Sequence, residues 1–271
     1  MALNDVKEIT IPEGSVKKIE DSNGNIIWGS QSAFPYRRLE YIHFGGTEYL
    51  DTGLTPIVGY YYLNAKIPPK TDTWSILYGA GHTISGTAFR FFFQSGVDNN
   101  GTISYRLKDL TAGNMSMTTY QNNVIQLKVR NYFTNNTYGR YWWASKNLGN
   151  DSLSDGDNYS NIIGQYYNNT TYACNFNNFN TTIAIGAYHY NGSWTSTGNR
   201  ATMDVYRHFV RADSDGSAIT HNQFPCQRKS DGVCGLYDTI TSTFIPMQGT
   251  NITNAAAGPV ADEYWDLTAP A

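Results

Sequence analysis

Along most of the chain apolar and polar residues alternate one by one, and every few residues the alternation is cut by Gly, Asn, Asp, Ser or Thr. A period of two sends successive side chains to opposite faces of a strand, whereas an amphipathic helix needs a period of about 3.6. β-prone runs cover residues 39–44, 48–54, 60–66, 74–79, 88–94, 102–107, 123–129, 138–145, 182–190, 202–210, 235–237 and 244–245. About a dozen short strands without a helical pattern between them predict an all-β, two-sheet antiparallel sandwich. No repeat period of the propeller or solenoid kind is present.

Within these runs the faces are legible. In "YYYLNAKI", Tyr61, Leu63, Ala65 and Ile67 share one face and are expected in the core, while Tyr60, Tyr62, Asn64 and Lys66 share the other. In "ISYRLKDL", Ile103, Tyr105 and Leu107 are the expected inner positions. "LEYIHFGGTEYLDTGLTP", residues 39–56, holds two alternating runs, with turns expected at Gly45-Gly46 and Gly53. The Asn-rich span 147–180 is weakly periodic and is expected to be loops or an insertion at one end of the sandwich.

Residues 1–32 read as a separate arm. In "VKKIEDSNGNIIWG" two short β-prone runs, 16–20 and 26–28, flank an Asn-Gly that readily takes the positive φ angles of a tight hairpin turn. Such a hairpin is too small to be stable alone, so Ile19, Ile26, Ile27 and Trp28 need a surface to bury against. "GSQSAF", residues 29–34, is the linker; the sandwich is expected over 33–259 and a C-terminal tail over 260–271.

Only 15% of the 271 residues are charged, and Tyr, Asn, Thr, Ser and Gly abound, which favours strands and turns over helix. A net charge of −3 offers no basic face for phosphates, so nucleic acid is not an expected partner. The N-terminus "MALNDVKEITIPEG" lacks the apolar core of a signal peptide, and no apolar run of ~18 residues occurs to span a bilayer. Synthesis in a cytoplasm and no membrane partner are the expectations. Cys174, Cys226 and Cys234 are then expected to be reduced and packed, a Cys226–Cys234 bridge across "CQRKSDGVC" being the alternative.

Catalytic patterns find little support. A jelly-roll glucanase would display carboxylates as E-x-D-x-x-E on one strand, and no such stretch exists; Glu48 and Asp51 are separated by an odd number and point to opposite faces of a regular strand. Asp151, Asp155 and Asp157 in "DSLSDGDN" offer oxygens to a hard cation but lack the spacing and terminal Glu of an EF-hand, so a solvated turn is the expectation. His43, His82, His189, His208 and His221 stand far apart, no cysteine spacing suits zinc, and neither a phosphate loop nor a nucleophile elbow is present. The Asn-x-Ser/Thr triplets, as at Asn135 and Asn251, are what an Asn- and Thr-rich chain produces by chance. No catalytic residue, metal or cofactor is expected.

Aromatic residues beside amides and hydroxyls are the remaining candidates. "RYWWASKN" puts Trp142 and Trp143 on opposite faces of a strand, and "AYHYNGSWTS" offers Tyr188, Tyr190 and Trp194 beside Asn191. Proteins hold sugars on such platforms, rings stacking on C–H faces while polar groups orient the hydroxyls. Trp143, Tyr188, Tyr190, Asn191 and Trp194 are therefore the glycan-binding candidates, the alternative being a rigid Tyr-rich surface or subunit interface.

"YRRLEYIHFGGTEYLDTGLTP" closely resembles the start of laminin-G-like, concanavalin A-type domains of virion proteins from phages and prophages of gut bacteria, which open on Leu-Glu-Tyr-Ile and Gly-Thr-x-Tyr-Ile-Asp-Thr-Gly. Residues 204–250 resemble the closing strands of the same family, where Pro-x-x-Arg-Lys precedes Gly-Leu-Tyr-Asp and a Phe. His43-Phe44-Gly45 departs from the small polar residues usual at the first turn. The arm is similar to phage segments in which a Lys-Ile-x-Asp-x-Asn-Gly hairpin ending in Trp precedes the displayed domain. The resemblance implies a jelly-roll sandwich and a non-enzymatic virion protein: a head fibre, decoration or tail-associated protein. It implies attachment to other virion proteins through the arm, a homotrimer, and contact with host surface glycans.

Overall fold

The computed structural model describes residues 18–20, 26–29, 35–68, 75–84, 87–95, 102–107, 110–116, 123–134, 137–145, 162–168, 179–190, 193–194, 199–212 and 218–261. Two compact units are present, Met1–Tyr36 and Arg37–Ala271.

The first unit contains the expected hairpin. β1 (Lys18–Glu20) and β2 (Ile26–Gly29) pair antiparallel, with Ile19 opposite Trp28 and a register shift between Ile19 and Glu20. The two strands form a sheet of their own.

The second unit is a β-sandwich, and no α-helix occurs among the described residues. Its larger sheet runs β13 (Ile162–Asn168), β12 (Thr137–Ser145), β11 (Val124–Thr134), β6 (Gly59–Lys66), β17 (Thr202–Ala212), β18 (Ala218–Arg228), β19 (Cys234–Asp238) and β20 (Thr243–Pro246). β3 (Tyr36–Arg38) adds to β18 and β4 (Ile42–Gly45) to β17. The smaller sheet runs β10 (Leu110–Ser116), β9 (Thr102–Leu107), β8 (Thr87–Ser95), β7 (Ser75–Ile84), β14 (Ala184–Ile185) and β5 (Leu50–Asp51). The short hairpin of β15 (His189–Tyr190) and β16 (Ser193–Trp194) joins β7 through a parallel pairing, and Ile76 of β7 makes a parallel bridge to Arg200; the other strand pairings described are antiparallel. The sheets meet at both margins, β10 touching β13 and β20 touching β5. Such closure shields the edge strands from pairing with other chains.

One hydrophobic core lies between the sheets. Ile42 and Phe44 of β4, Tyr61, Leu63 and Ala65 of β6, and Ile125, Leu127 and Val129 of β11 pack with Leu50, Leu77, Tyr78, Ala80 and Ile185 of the smaller sheet. The face expected for β6 is the observed one, and Ile67 joins the same core. Tyr60 and Tyr62 on its far face are also buried, however, in a second cluster with Phe209, whose ring stacks on Tyr62 at 4.1 Å.

Glycines punctuate the chain where the alternation breaks: Gly46 has φ 97° and Gly53 φ 71°, angles that L side chains rarely adopt. The run 48–54 therefore contributes only Leu50–Asp51 as strand. Likewise 182–190 splits at Gly186, with φ 79° and no room for a Cβ, which would lie 2.7 Å from the Phe44 ring. Long-range pairing adds two strands to the runs that alternation marks. The Asn-rich span 147–180, expected as loops or an insertion at one end of the sandwich, contains the end strand β13, held by antiparallel pairing to β12. β18, "AITHNQFPCQR", shows little alternation and contains Pro225, yet it pairs with both β17 and β19. Residues 103–107 pair as backbone in the smaller sheet; the facing of their side chains lies outside the described residues.

β17 carries a bulge. Val205 pairs with Ala65 and Arg207 with Asn64, which leaves Tyr206 as the extra residue. Before the bulge Met203 and Val205 face the core; after it Val210 does, so the inward parity reverses.

Candidate functional site

The β15–β16 hairpin brings three of the predicted platform residues together but divides them. Tyr188 and Tyr190 are two apart, so their rings share a side, with centroids 5.9 Å apart. Both lie on the backbone of Gly81 in β7, where a Cβ would come within 2.7 Å of the Tyr190 ring. Gly81 thus makes the seat for the tyrosine pair.

Trp194 belongs to a different group. It pairs across the hairpin with His189, whose ring stacks on it at 4.4 Å and 15°. Tyr49, just before β5, meets the indole at 4.5 Å and 40°, and the Arg200 guanidinium lies 4.4 Å from the Tyr49 ring centroid. The run His189, Trp194, Tyr49 and Arg200 is half-buried and tied at its end, since Arg200 donates to the Thr47 carbonyl and the Tyr49 hydroxyl to Gln248 at 2.7 Å. With His189 and Tyr49 against its indole, Trp194 offers a ligand less open ring face than a free platform would.

Of the other candidates, Trp143 lies in β12 of the larger sheet, opposite Lys128 and Gln165. It therefore stands on a different sheet from Trp194. Its side chain lies outside the described residues, as do Asn191, Asp151, Asp155, Asp157, Cys174 and the side chains of Ile19, Ile26, Ile27, Trp28 and His82. Sequence reading missed Tyr49 and Arg200 as members of the aromatic run; Tyr49 lies far from Trp194 along the chain, and no local pattern connects them.

Glu48 is a fully buried knot. Its Oε2 accepts from the Gly45 amide at 2.6 Å and the Thr47 amide at 3.3 Å, and its Oε1 from the Thr47 hydroxyl and the Asn251 amide, the latter at 3.1 Å. Burial pushes the carboxyl up, but the Thr47 hydroxyl and the amides of Gly45, Asn251 and Thr47 outweigh it and hold it below the usual range. Every partner belongs to the fold, so Glu48 fastens the first turn to the C-terminal segment. Asp51 accepts from the Gly53 amide at 3.0 Å and shapes the next turn.

A buried polar chain crosses the core. The Tyr78 hydroxyl of the smaller sheet meets His208 Nε2 at 2.9 Å, and His208 Nδ1 donates to Gln223 Oε1 at 2.7 Å. The Gln223 amide donates to Asp238 at 3.3 Å, and His221 Nδ1 to the same carboxylate at 2.7 Å. Because Gln223 Oε1 only accepts, Nδ1 carries the imidazole proton and Nε2 accepts from Tyr78. Burial, against the Gln223 bond, with His221 lowering and Asp238 raising, brings His208 down to about 4. The bulge makes this chain possible, since it turns His208 inward.

Cys226 and Cys234 are both free and buried. Cys226 pairs with Gly235 and Cys234 with Gln227, so the cysteines are one residue out of register and project to opposite faces. Cys234 sits in the central core. Among the described residues no cluster of His, Cys, Asp or Glu could hold a metal ion, and no helix is long and apolar enough to cross a membrane.

Comparison of the chain with protein-family models, with curated proteins and with solved structures finds no significant match.

Proposed function

We propose that the chain is a structural protein of a bacteriophage virion, displayed as a head fibre, decoration or tail-associated protein. The β1–β2 hairpin attaches it to other virion proteins, and the sandwich, of concanavalin A-like jelly-roll type, is the displayed part. The supporting observation is that β1 and β2 pair only with each other among the described residues and belong to a separate compact unit. A two-stranded hairpin is marginal in water, so Ile19, Ile26, Ile27 and Trp28 are residues in search of a surface. The reading is non-enzymatic, in keeping with the structural use of Glu48. Removal of residues 1–32 tests it: the sandwich should fold and stay off the particle, and normal incorporation would refute attachment through the arm. Light scattering should give a trimer mass for the full chain; a monomer at every concentration would remove the trimer.

A second reading, recognition of a host surface glycan, is favoured by the half-buried rings around Trp194. Loss of glycan-array binding in Trp194→Ala or Trp143→Ala would support it, and an array silent for the wild type would dismiss it.

A further inference from the structure

The open part of the larger sheet's outer face carries a group of side chains that the fold leaves partly unspent. Tyr206 is the bulge residue of β17, and bulges re-aim side chains out of the ladder. Its ring meets that of Tyr41 at 5.3 Å and 47°. Tyr41 is fixed in turn against Gly258, where a Cβ would lie 2.8 Å from the ring. Two residues beyond Tyr41, His43 of β4 stands opposite Asp204, and Lys66 flanks Asp204 on its other side. Three neighbouring strands thus present His43, Asp204 and Lys66 in a row beside a pair of tyrosines.

The hydrogen-bond inventory distinguishes this group from the polar chain in the core. His43 Nδ1 donates to Asp204 Oδ1 at 2.7 Å, which leaves His43 Nε2 and Asp204 Oδ2 without partners among the described residues. The hydroxyls of Tyr41 and Tyr206 and the Lys66 amine are likewise unengaged there. The groups are reachable: the His43 side chain is 43% exposed and that of Asp204 22%. At the other end of β6 the same face is covered, with Tyr60 and Tyr62 at most 2% exposed. The face therefore passes from covered to open along the strand, and the group stands on the open side. Burial, with Asp204, Tyr41 and Glu40 nearby, pushes the Tyr206 phenol above its ordinary range.

We infer that this face binds a neutral saccharide, the Tyr41–Tyr206 pair packing against a pyranose ring while His43, Asp204 and Lys66 bond its hydroxyls. Sugar hydroxyls both donate and accept, and the group supplies acceptors at Asp204 Oδ2 and His43 Nε2, a donor at Lys66, and both functions at the two phenols. Phosphate or sulfate ligands suit it poorly, because Asp204 and Glu40 stand beside the rings. The inference shares with the second reading above only the class of ligand, and assigns it to other residues on the other sheet.

Affinity electrophoresis in native gels cast with mixed-linkage β-glucan, galactomannan or dextran tests it, with polygalacturonate as acidic comparator. The wild-type chain should be retarded in at least one neutral gel, and Tyr206→Ala and Asp204→Ala should each weaken retention about tenfold or more. Tyr206→Phe, which keeps the ring, should lose less, and Trp194→Ala nothing. Full retention by Tyr206→Ala, retardation in polygalacturonate alone, or none in any gel would overturn the inference. Loss in Trp194→Ala alone would also overturn it while upholding the hairpin site, and attachment through the arm stands or falls separately by incorporation. Nitration of Tyr41 and Tyr206 in the wild type guards against misfolded variants: the retarding polysaccharide should slow it, and unchanged nitration in a bound protein would count against the site.

Discussion

Acidification should loosen the sandwich through His208 before Asp238 protonates. In the folded chain His208 is fully buried, neutral and held near 4, while in the unfolded chain it titrates at its ordinary 6.5. The unfolded state therefore binds the extra proton between these values, and stability rises with pH across the window. The contribution is complete above pH 6.5, falls as pH drops, and is spent near 4. A gap of this size corresponds to about 3 kcal/mol, or a fall in Tm of about 6–12 °C for a domain of this length. Asp238 acts in the same direction, in a lower window. Burial raises it, but His221, the Asn222 and Ile240 amides and Gln223 bring it from 3.8 to about 2, so its contribution is lost only below the His208 window. Guanidinium unfolding of the wild type and His208→Phe, followed by tryptophan fluorescence from about pH 7 to about pH 4, separates the two effects. His208→Phe leaves the Tyr78 hydroxyl and the Gln223 amide oxygen without their partner, a cost of about 2–4 kcal/mol at neutral pH. Across the window it should lose much less than the wild type. Parallel pH profiles for the two proteins would refute the account of His208 as a neutral bridge between sheets.

Glu48→Gln should cost about 2–4 kcal/mol in the same assay, since a neutral amide replaces an acceptor of four hydrogen bonds and brings a buried donor without a partner; a change near zero would contradict the knot. Gly235→Ala should prevent folding or lower Tm steeply, because its Cβ would stand 2.3 Å from the Ile245 carbonyl, and a wild-type melt would show that β19 and β20 part easily. Cys226 and Cys234 should resist iodoacetamide in the folded protein and react on unfolding, burial having raised both thiols, Cys234 to about 11. Peptide mapping that found them disulfide-linked would overturn the opposite-face geometry.

Much of the fold is local in origin and was therefore readable. Alternation in "YYYLNAKI" assigned Tyr61, Leu63 and Ala65 to the core, and the glycines at 46 and 53 marked breaks that no β-carbon tolerates well. The β1–β2 hairpin follows from two short apolar runs about an Asn-Gly. β13 and β18 escaped notice because their strand character comes from neighbours distant in sequence rather than from their own pattern.

The sites belong to tertiary structure. Strict alternation through 202–210 would send His208 outward and Phe209 inward; the bulge at Tyr206 reverses both and creates the core bridge and the half-buried tyrosine pair together. Nothing in "LEYIHFGGTEYLDTGLTP" announces that Glu48 bonds to Asn251 or that Tyr49 meets Trp194. The chain's own pattern determined strands, turns and one buried face, because those depend on residues within a few positions of each other. The pairing of distant strands and one bulge decided which polar groups are consumed by the fold and which stay unengaged among the described residues, because hydrogen bonds are satisfied only by groups brought together in space.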